Sequence, residues 1–168
     1  LSVYGENWDN ASFFNESEAE KCVRVINDSD YIDIAIHGLH HSYYVKGQAY
    51  NNTDYYMKGI PVAEDEIRKR LDAYFDLMHY HRFKKNINSF VPPGFIYKEN
   101  HLSKILKDYD VLYISTILSD IIDGKNETDA YIENGIIVVD RKNNLIPWEE
   151  MESNLDALPV SGGVFGCH

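Results

Sequence analysis

The chain has 168 residues, with 16 Lys or Arg against 27 Asp or Glu, so its formal net charge is −11 at pH 7. This length is typical of one domain with a single core. An acidic chain without a cluster of basic residues is not typical of proteins that bind nucleic acid or anionic membranes. No apolar run approaches the ~20 residues of a membrane-spanning helix. Two cysteines are too few for a disulfide framework.

The predicted elements alternate between strands and helices along the chain. Short apolar runs predict strands at Leu1–Tyr4, Tyr31–Ile36, Ser89–Val91, Val111–Ser115, Gly135–Val139 and Val164–His168. Helical spacing and capping residues predict helices after Asn15, over Ala63–Arg82, near His101–Lys107 and over Trp148–Leu158. Apolar strands joined by helical crossovers are typical of a parallel sheet covered by helices, either an open doubly wound sheet or a β/α barrel. No glycine-rich phosphate-binding motif follows a strand, which disfavours the nucleotide-binding version.

Two helices carry clear apolar faces. In the first, Ala19, Cys22, Val23 and Ile26 share one face, which predicts that Cys22 is a core residue. In the second, acidic residues open the first turn and suit the positive helix end. Its predicted buried stripe is Ile67, Leu71, Tyr74, Phe75 and Met78.

A histidine-rich segment, His37-Gly38-Leu39-His40-His41, directly follows the second predicted strand. Two imidazoles four positions apart meet on one side if the chain turns helically, and Gly38 permits such a turn. Neutral imidazole is a common zinc ligand, and a catalytic zinc site needs two or three such ligands and an open position. The segment therefore predicts a metal site at His37 and His41. The alternative is a histidine-rich surface loop that holds no metal.

Several other polar residues could carry chemistry. His79 and His81 lie two positions apart, about 200° around a helix, so they do not converge and instead favour its negative end. Cys167 and His168 face opposite sides of a strand and cannot pair directly. Asp140 ends a strand and could orient a base, or could form a helix cap or a salt bridge. In parallel folds, chemistry collects at such strand ends.

Taken in order, three of these pieces resemble the polysaccharide deacetylase superfamily, particularly its divergent members. They are the strand ending in His37-Gly38-Leu39-His40-His41, the strand Ser89–Val91 running into Pro92-Pro93-Gly94, and the final strand ending in His168. The resemblance implies a distorted (β/α) barrel of parallel strands with outer helices. It covers most of the chain, so residues 1–168 are expected to form a single deacetylase-like catalytic domain.

The resemblance also implies a site and an activity. A divalent metal, zinc by its ligand types, would be held by His37, His41 and an aspartate. Pro92, Pro93 and Gly94 would line the substrate groove, and His168 would be the catalytic residue that protonates the leaving amine. The implied reaction is the removal of N- or O-acetyl groups from a carbohydrate, at the cell envelope or outside the cell.

The family's early pair of aspartates has no match in this sequence. Leu1–Tyr4 resembles the second strand of such a barrel, so the pair is expected upstream of residue 1, in a longer chain, and the barrel is expected to be incomplete here. Glu6 or Asp9 could substitute for it. Two alternatives remain open: a non-catalytic carbohydrate-binding or scaffolding relative, and an unrelated β/α metal hydrolase whose site Asp140 completes.

Overall fold

The computed structural model describes residues 16–39, 53–57, 60–93, 97, 101–116, 130–144 and 164–166. The helices in these ranges are α1 (Glu16–Asp28), α2 (Glu64–Tyr80) and α3 (Leu102–Lys107). The strands are β1 (Ala35–Ile36), β2 (Tyr56–Met57), β3 (Ile60–Pro61), β4 (Ser89–Phe90), β5 (Tyr113–Thr116), β6 (Ala130–Glu133), β7 (Ile136–Asn144) and β8 (Val164–Gly166). The predicted strand Leu1–Tyr4 and the predicted helix Trp148–Leu158 lie outside the described residues.

The main sheet has the strand order β1-β4-β5-β7-β6, and β8 pairs with β7. Strands β1, β4, β5 and β7 are parallel neighbours, β6 is antiparallel to β7, and β8 is parallel to it. Helix α2 lies in the chain between β1 and β4, and α3 between β4 and β5. Strands β2 and β3 form a separate antiparallel pair. The prediction of an α/β protein with a mostly parallel sheet is therefore confirmed.

The parallel register builds one row of the core. Ile36 pairs with Phe90, Phe90 with Ile114, and Ile114 with Val138, and all four side chains are fully buried. They belong to the same core as the buried stripe of α2, which consists of Ile67, Leu71, Tyr74 and Met78. Burying a side chain of this size contributes about 1.5–3 kcal/mol. The predicted stripe of α2 is confirmed, with Phe75 partly buried beside it.

The residues that follow this row point to the opposite side of the sheet, because side chains alternate along a strand. His37, Val91, Ser115 and Val139 come next in the four parallel strands, and all four are half-buried. His37 thus lies on the face opposite to Ile36 and the helix-packed core. This is the alternation that the sequence predicted for the end of β1.

Two predictions about local structure were wrong or incomplete. Cys22 is exposed rather than buried in the core. At 100° per residue, Ala19, Val23 and Ile26 fall within about 60° of arc, and Cys22 lies a further ~40° away, at the margin of the face. Ala19, Val23 and Ile26 are themselves only half-buried, so Cys22, at the edge of this face, is exposed to solvent.

Strand β6 was not predicted. It pairs with β7 through a tight turn at Asn134 and Gly135, whose φ angles are 50° and 84°. Two consecutive residues at positive φ form the two-residue hairpin turn for which Asn-Gly is the strongest sequence signal. The dipeptide was therefore an available signal for this hairpin.

Tyr74, on the buried side of α2, predicts a loss of stability at high pH. Burial raises the pKa of its hydroxyl to about 12, whereas an unfolded chain loses this proton near pH ~10. Its contribution is complete below pH ~10 and falls as the pH rises toward ~12, at up to about 1.4 kcal/mol per pH unit. Urea unfolding between pH ~9 and ~12 should show a shallower decline for Tyr74→Phe than for the wild type. Equal slopes would contradict the assignment.

Candidate functional site

The candidate site lies where β1 and β4 end. His37 directly follows β1, and its Nδ1 is 2.8 Å from the backbone oxygen of Val91, which directly follows β4. Because a carbonyl oxygen only accepts, Nδ1 must carry the proton and donate it to Val91. In the neutral ring the lone pair is then on Nε2. Histidines that bind metals are oriented by such a hydrogen bond from the second ring nitrogen.

The proline pair fixes the acceptor of this hydrogen bond. The backbone N–H of Val91 donates to the oxygen of Ile36 at 2.8 Å, in continuation of the β1–β4 ladder. Pro92 and Pro93 have no N–H, so the ladder ends there. Both prolines are buried. The carbonyl of Val91, the last residue before the prolines, is the partner of the His37 ring.

A buried carboxylate lies against the residue after His37. Asp54 is 0% exposed. Gly38 has a φ of 124°, and a Cβ placed on it would collide with Oδ2 of Asp54 and lie 3.2 Å from its Cγ and 3.0 Å from Cγ of Pro93. Only glycine allows this close approach and this backbone conformation together. The arrangement brings Asp54 to the carboxyl end of β1.

The turn that carries Asp54 is held by its own hydrogen bonds. Oγ1 of Thr53 accepts from the backbone N–H groups of Tyr55 at 3.3 Å and Tyr56 at 3.2 Å. The N–H of Thr53 donates to the oxygen of Tyr56 at 2.7 Å. Arg70, on α2, donates through Nη1 to the backbone oxygen of Asp54. These bonds fix the backbone of the turn on both sides of Asp54.

Tyr55 joins this turn to the core. Its ring meets that of Phe90 edge-on at 5.2 Å between centroids. Burial raises the pKa of the Tyr55 hydroxyl well above its usual range, and the neighbouring Asp54 carboxylate acts in the same direction. Tyr55 therefore stays protonated at neutral pH, and it acts as a packing residue beneath the site.

Sequence reasoning missed Asp54. The segment after His41 is long and rich in tyrosine, and it has no periodic pattern from which a strand or helix could be placed. Short turns with a Thr or Asp that binds nearby backbone N–H groups do have a sequence signature, and Thr53-Asp54 fits it. That signature predicts a turn, but it does not predict that the turn packs against Gly38.

The other predicted site residues have different outcomes. His41, Gly94 and His168 lie outside the described residues, so their placement stays a prediction. Asp140 is half-buried in β7, in register with Thr116 of β5. His79 and His81 lie at the C-terminal end of α2, as predicted, and both are exposed. Within the described ranges, which omit His41, no group of three or more His, Cys, Asp or Glu residues is arranged to hold a metal ion.

Comparisons with family models, with curated proteins and with solved structures gave no match to this chain. Among the helices that the structure describes, none has the length and apolar character needed to cross a membrane. The described part of the site fits a divalent metal in one specific respect. The imidazole of His37 is set by the Val91 carbonyl in the tautomer that a metal ligand requires.

Proposed function

We propose that this protein is a metal-dependent hydrolase that removes N- or O-acetyl groups from a carbohydrate. His37 and His41 are the proposed ligands of the metal, which is zinc by its nitrogen donors. The observation that carries the proposal is the His37–Val91 hydrogen bond at the carboxyl end of β1. It sets the tautomer and direction of the ring in the manner of metal-binding histidines.

The order of the strands supports the barrel that the proposal requires. The parallel strands β4, β5 and β7 are each added on the same side of the preceding parallel strand, starting from β1. Parallel crossovers are nearly always right-handed, so winding in one direction puts the crossover helices on one face. His37 lies on the other face, the one that would line the interior of the proposed (β/α) barrel. Active sites of such barrels form at the carboxyl ends of the strands.

The proposal gives each residue a task. When bound, the metal polarises the acetyl carbonyl and lowers the pKa of its water. His37 presents Nε2 while its Nδ1 proton remains with Val91, and His41 supplies the second nitrogen. The proposed groove is formed by Pro92, Pro93 and Gly94. His168 is the proposed proton donor to the leaving group.

The experiment measures acetate released from an acetylated chito-oligosaccharide and an acetylated xylo-oligosaccharide by the zinc-loaded protein. His37→Asn is the informative variant, because the asparagine amide can still donate to Val91 but has no counterpart of Nε2. We expect it to lower kcat/KM about a hundredfold or more, or about 2.7 kcal/mol of transition-state stabilisation. His79→Asn, at the exposed end of α2, is the matched control and should retain wild-type activity.

Two results would contradict the proposal. One is zinc binding without acetate release from either substrate, which favours a non-catalytic relative. The other is an unchanged kcat/KM in His37→Asn, which would separate the activity from this site.

A further inference from the structure

The segment that joins α2 to β4 concentrates positive charge in an acidic protein. Arg82, Lys84 and Lys85 lie within four positions, although the whole chain has a formal net charge of −11. The prediction that the chain has no cluster of basic residues overlooked them. In the described part of the chain, neither Arg82 nor Lys84 forms an ion pair. Because β1 and β4 are parallel, the segment lies at the amino end of the sheet, opposite to the end where His37 lies.

Arg82 occupies a backbone position that usually belongs to glycine. It follows His81, the C-cap of α2, and its φ is 61°. The N–H groups of Arg82 and of the next residue donate to carbonyl oxygens in the last turn of α2, a helix end at which glycine is the common residue. The other non-glycine residues with positive φ in the described ranges are Asp110 and Asn134, whose short polar side chains suit this conformation. Arginine lacks that advantage, and strained residues of this kind cluster at ligand-binding sites.

Asn27, near the C-terminal end of α1, holds the backbone of the same segment. Its Nδ2 donates to the backbone oxygen of Arg82 at 2.9 Å, and its Oδ1 accepts from the N–H of Lys84 at 2.8 Å. Lys85 donates through Nζ to the backbone oxygen of Ser29, just beyond α1. The backbone that carries Arg82 and Lys84 is therefore fixed before any ligand arrives, which is a requirement for precise binding.

The side chains of this segment line an open recess of about 540 Å³. Sites for small ligands have volumes of about 300–1,000 Å³, so the recess is large enough for one. Its walls include the side chains of Tyr80, Arg82, Phe83 and Lys84. The Tyr80 side chain is 77% exposed and Phe83 is half-buried. Cationic groups and aromatic rings are thus offered together to one ligand.

We propose that this recess binds a small organic anion, in which a carboxylate or phosphate group is attached to a ring. The planar guanidinium of Arg82 matches two oxygens of such a group, and Lys84 adds a second positive charge. The ring of the ligand packs on Tyr80 and Phe83. The proposal does not rest on the metal site, which lies at the other end of the parallel strands.

The overall charge of the protein favours a small ligand over a polymer. A polyanion would meet the repulsion of a surface whose net charge is −11. A small anion responds mainly to charges within about 8 Å at physiological salt, because more distant charges are screened. Within that distance of the recess, Arg82 and Lys84 supply positive charge.

The first test titrates the full chain, labelled with nitrogen-15, with glucuronate and with glucose 6-phosphate. Glucose is the uncharged control. We expect saturable shifts of the backbone amides of residues 80–84 with at least one of the two acids, and none with glucose. The acid that binds more tightly distinguishes a carboxylate site from a phosphate site. Absence of saturable shifts with both acids, or equal binding of glucose, would overturn the proposal.

Arg82→Gly separates the side chain from its backbone conformation. Glycine relieves the positive φ, so the urea midpoint should rise. Loss of the charged hydrogen bonds should weaken binding of the acid about tenfold or more. Asp110→Gly is the matched control, since Asp110 also has a positive φ, of 58°, and it should bind the acid as the wild type does. Wild-type affinity in Arg82→Gly would overturn the proposal.

Lys84→Gln tests the second charge without a change at a strained position. It should weaken binding of the acid about 3- to 10-fold, as expected for loss of one charged contact. Lys69→Gln is the control, because it removes one positive charge from an exposed part of α2 outside the recess, and it should leave the affinity unchanged. Equal weakening in the two variants would show an effect of net charge alone and would contradict a site at this recess.

Discussion

Gly38→Ala is expected to destabilise the folded protein by about 2–6 kcal/mol. Two costs add at this position. A non-glycine residue held at unfavourable positive φ costs about 1–3 kcal/mol, and φ is 124° here. Forcing a methyl group into a packed contact costs about 1–3 kcal/mol more, because the added Cβ collides with Oδ2 of Asp54. Urea unfolding measures the sum as a lower transition midpoint.

Gly135→Ala is the matched control, because it should carry the cost of a positive φ but not the cost of a methyl group forced into a packed contact. Gly135 also has a positive φ, of 84°, but the nearest atom to an added Cβ is Nζ of Lys107 at 3.4 Å. The end of a lysine side chain can move aside, so we expect only the backbone cost, about 1–2 kcal/mol. Equal destabilisation by the two substitutions would contradict the close packing of Asp54 on Gly38.

The elements that sequence predicted best are those whose signals are local. Helix α2 was predicted over Ala63–Arg82 and spans Glu64–Tyr80, because an acidic first turn and an apolar stripe mark both its start and its buried face. Strand β4 ends before Pro92 for a reason visible in the sequence, the missing N–H of proline. Of the predicted strand Tyr31–Ile36, only Ala35–Ile36 is paired. Its partner strand, β4, is itself only two residues long, so the residues before Ala35 have no strand beside them to pair with.

The candidate site could be predicted only in part. His37 was placed by its position after an apolar strand, and the structure confirms that it lies at the end of β1. Its hydrogen bond to Val91 joins residues 54 positions apart, and the contact of Asp54 with Gly38 depends on how a non-periodic segment packs. Neither contact has a local signal. The prediction that Cys22 is buried was wrong for a related reason. Helical spacing predicts which residues form an apolar face, but not how much of that face other elements cover.

Substitution of His37 or His41 is expected to weaken zinc binding strongly. Each imidazole is proposed to contact the metal directly, and even outer partners of metal ligands contribute 10- to 100-fold in affinity. Replacing either ligand should therefore weaken zinc binding about a hundredfold or more. His37→Asn removes Nε2 but retains a donor for Val91, so the fold at the end of β1 should persist. His40→Ala, between the two proposed ligands, and His79→Ala serve as controls.

The most direct test of the proposed metal site is the zinc dissociation constant of five proteins, measured by competition with a chromophoric chelator. They are the wild type and the variants His37→Asn, His41→Ala, His40→Ala and His79→Ala. We expect one tight site in the wild type, His40→Ala and His79→Ala, and a dissociation constant at least about a hundredfold higher in His37→Asn and in His41→Ala. If all five proteins bind zinc equally, or if none binds it, His37 and His41 do not hold a metal and the hydrolase proposal is wrong.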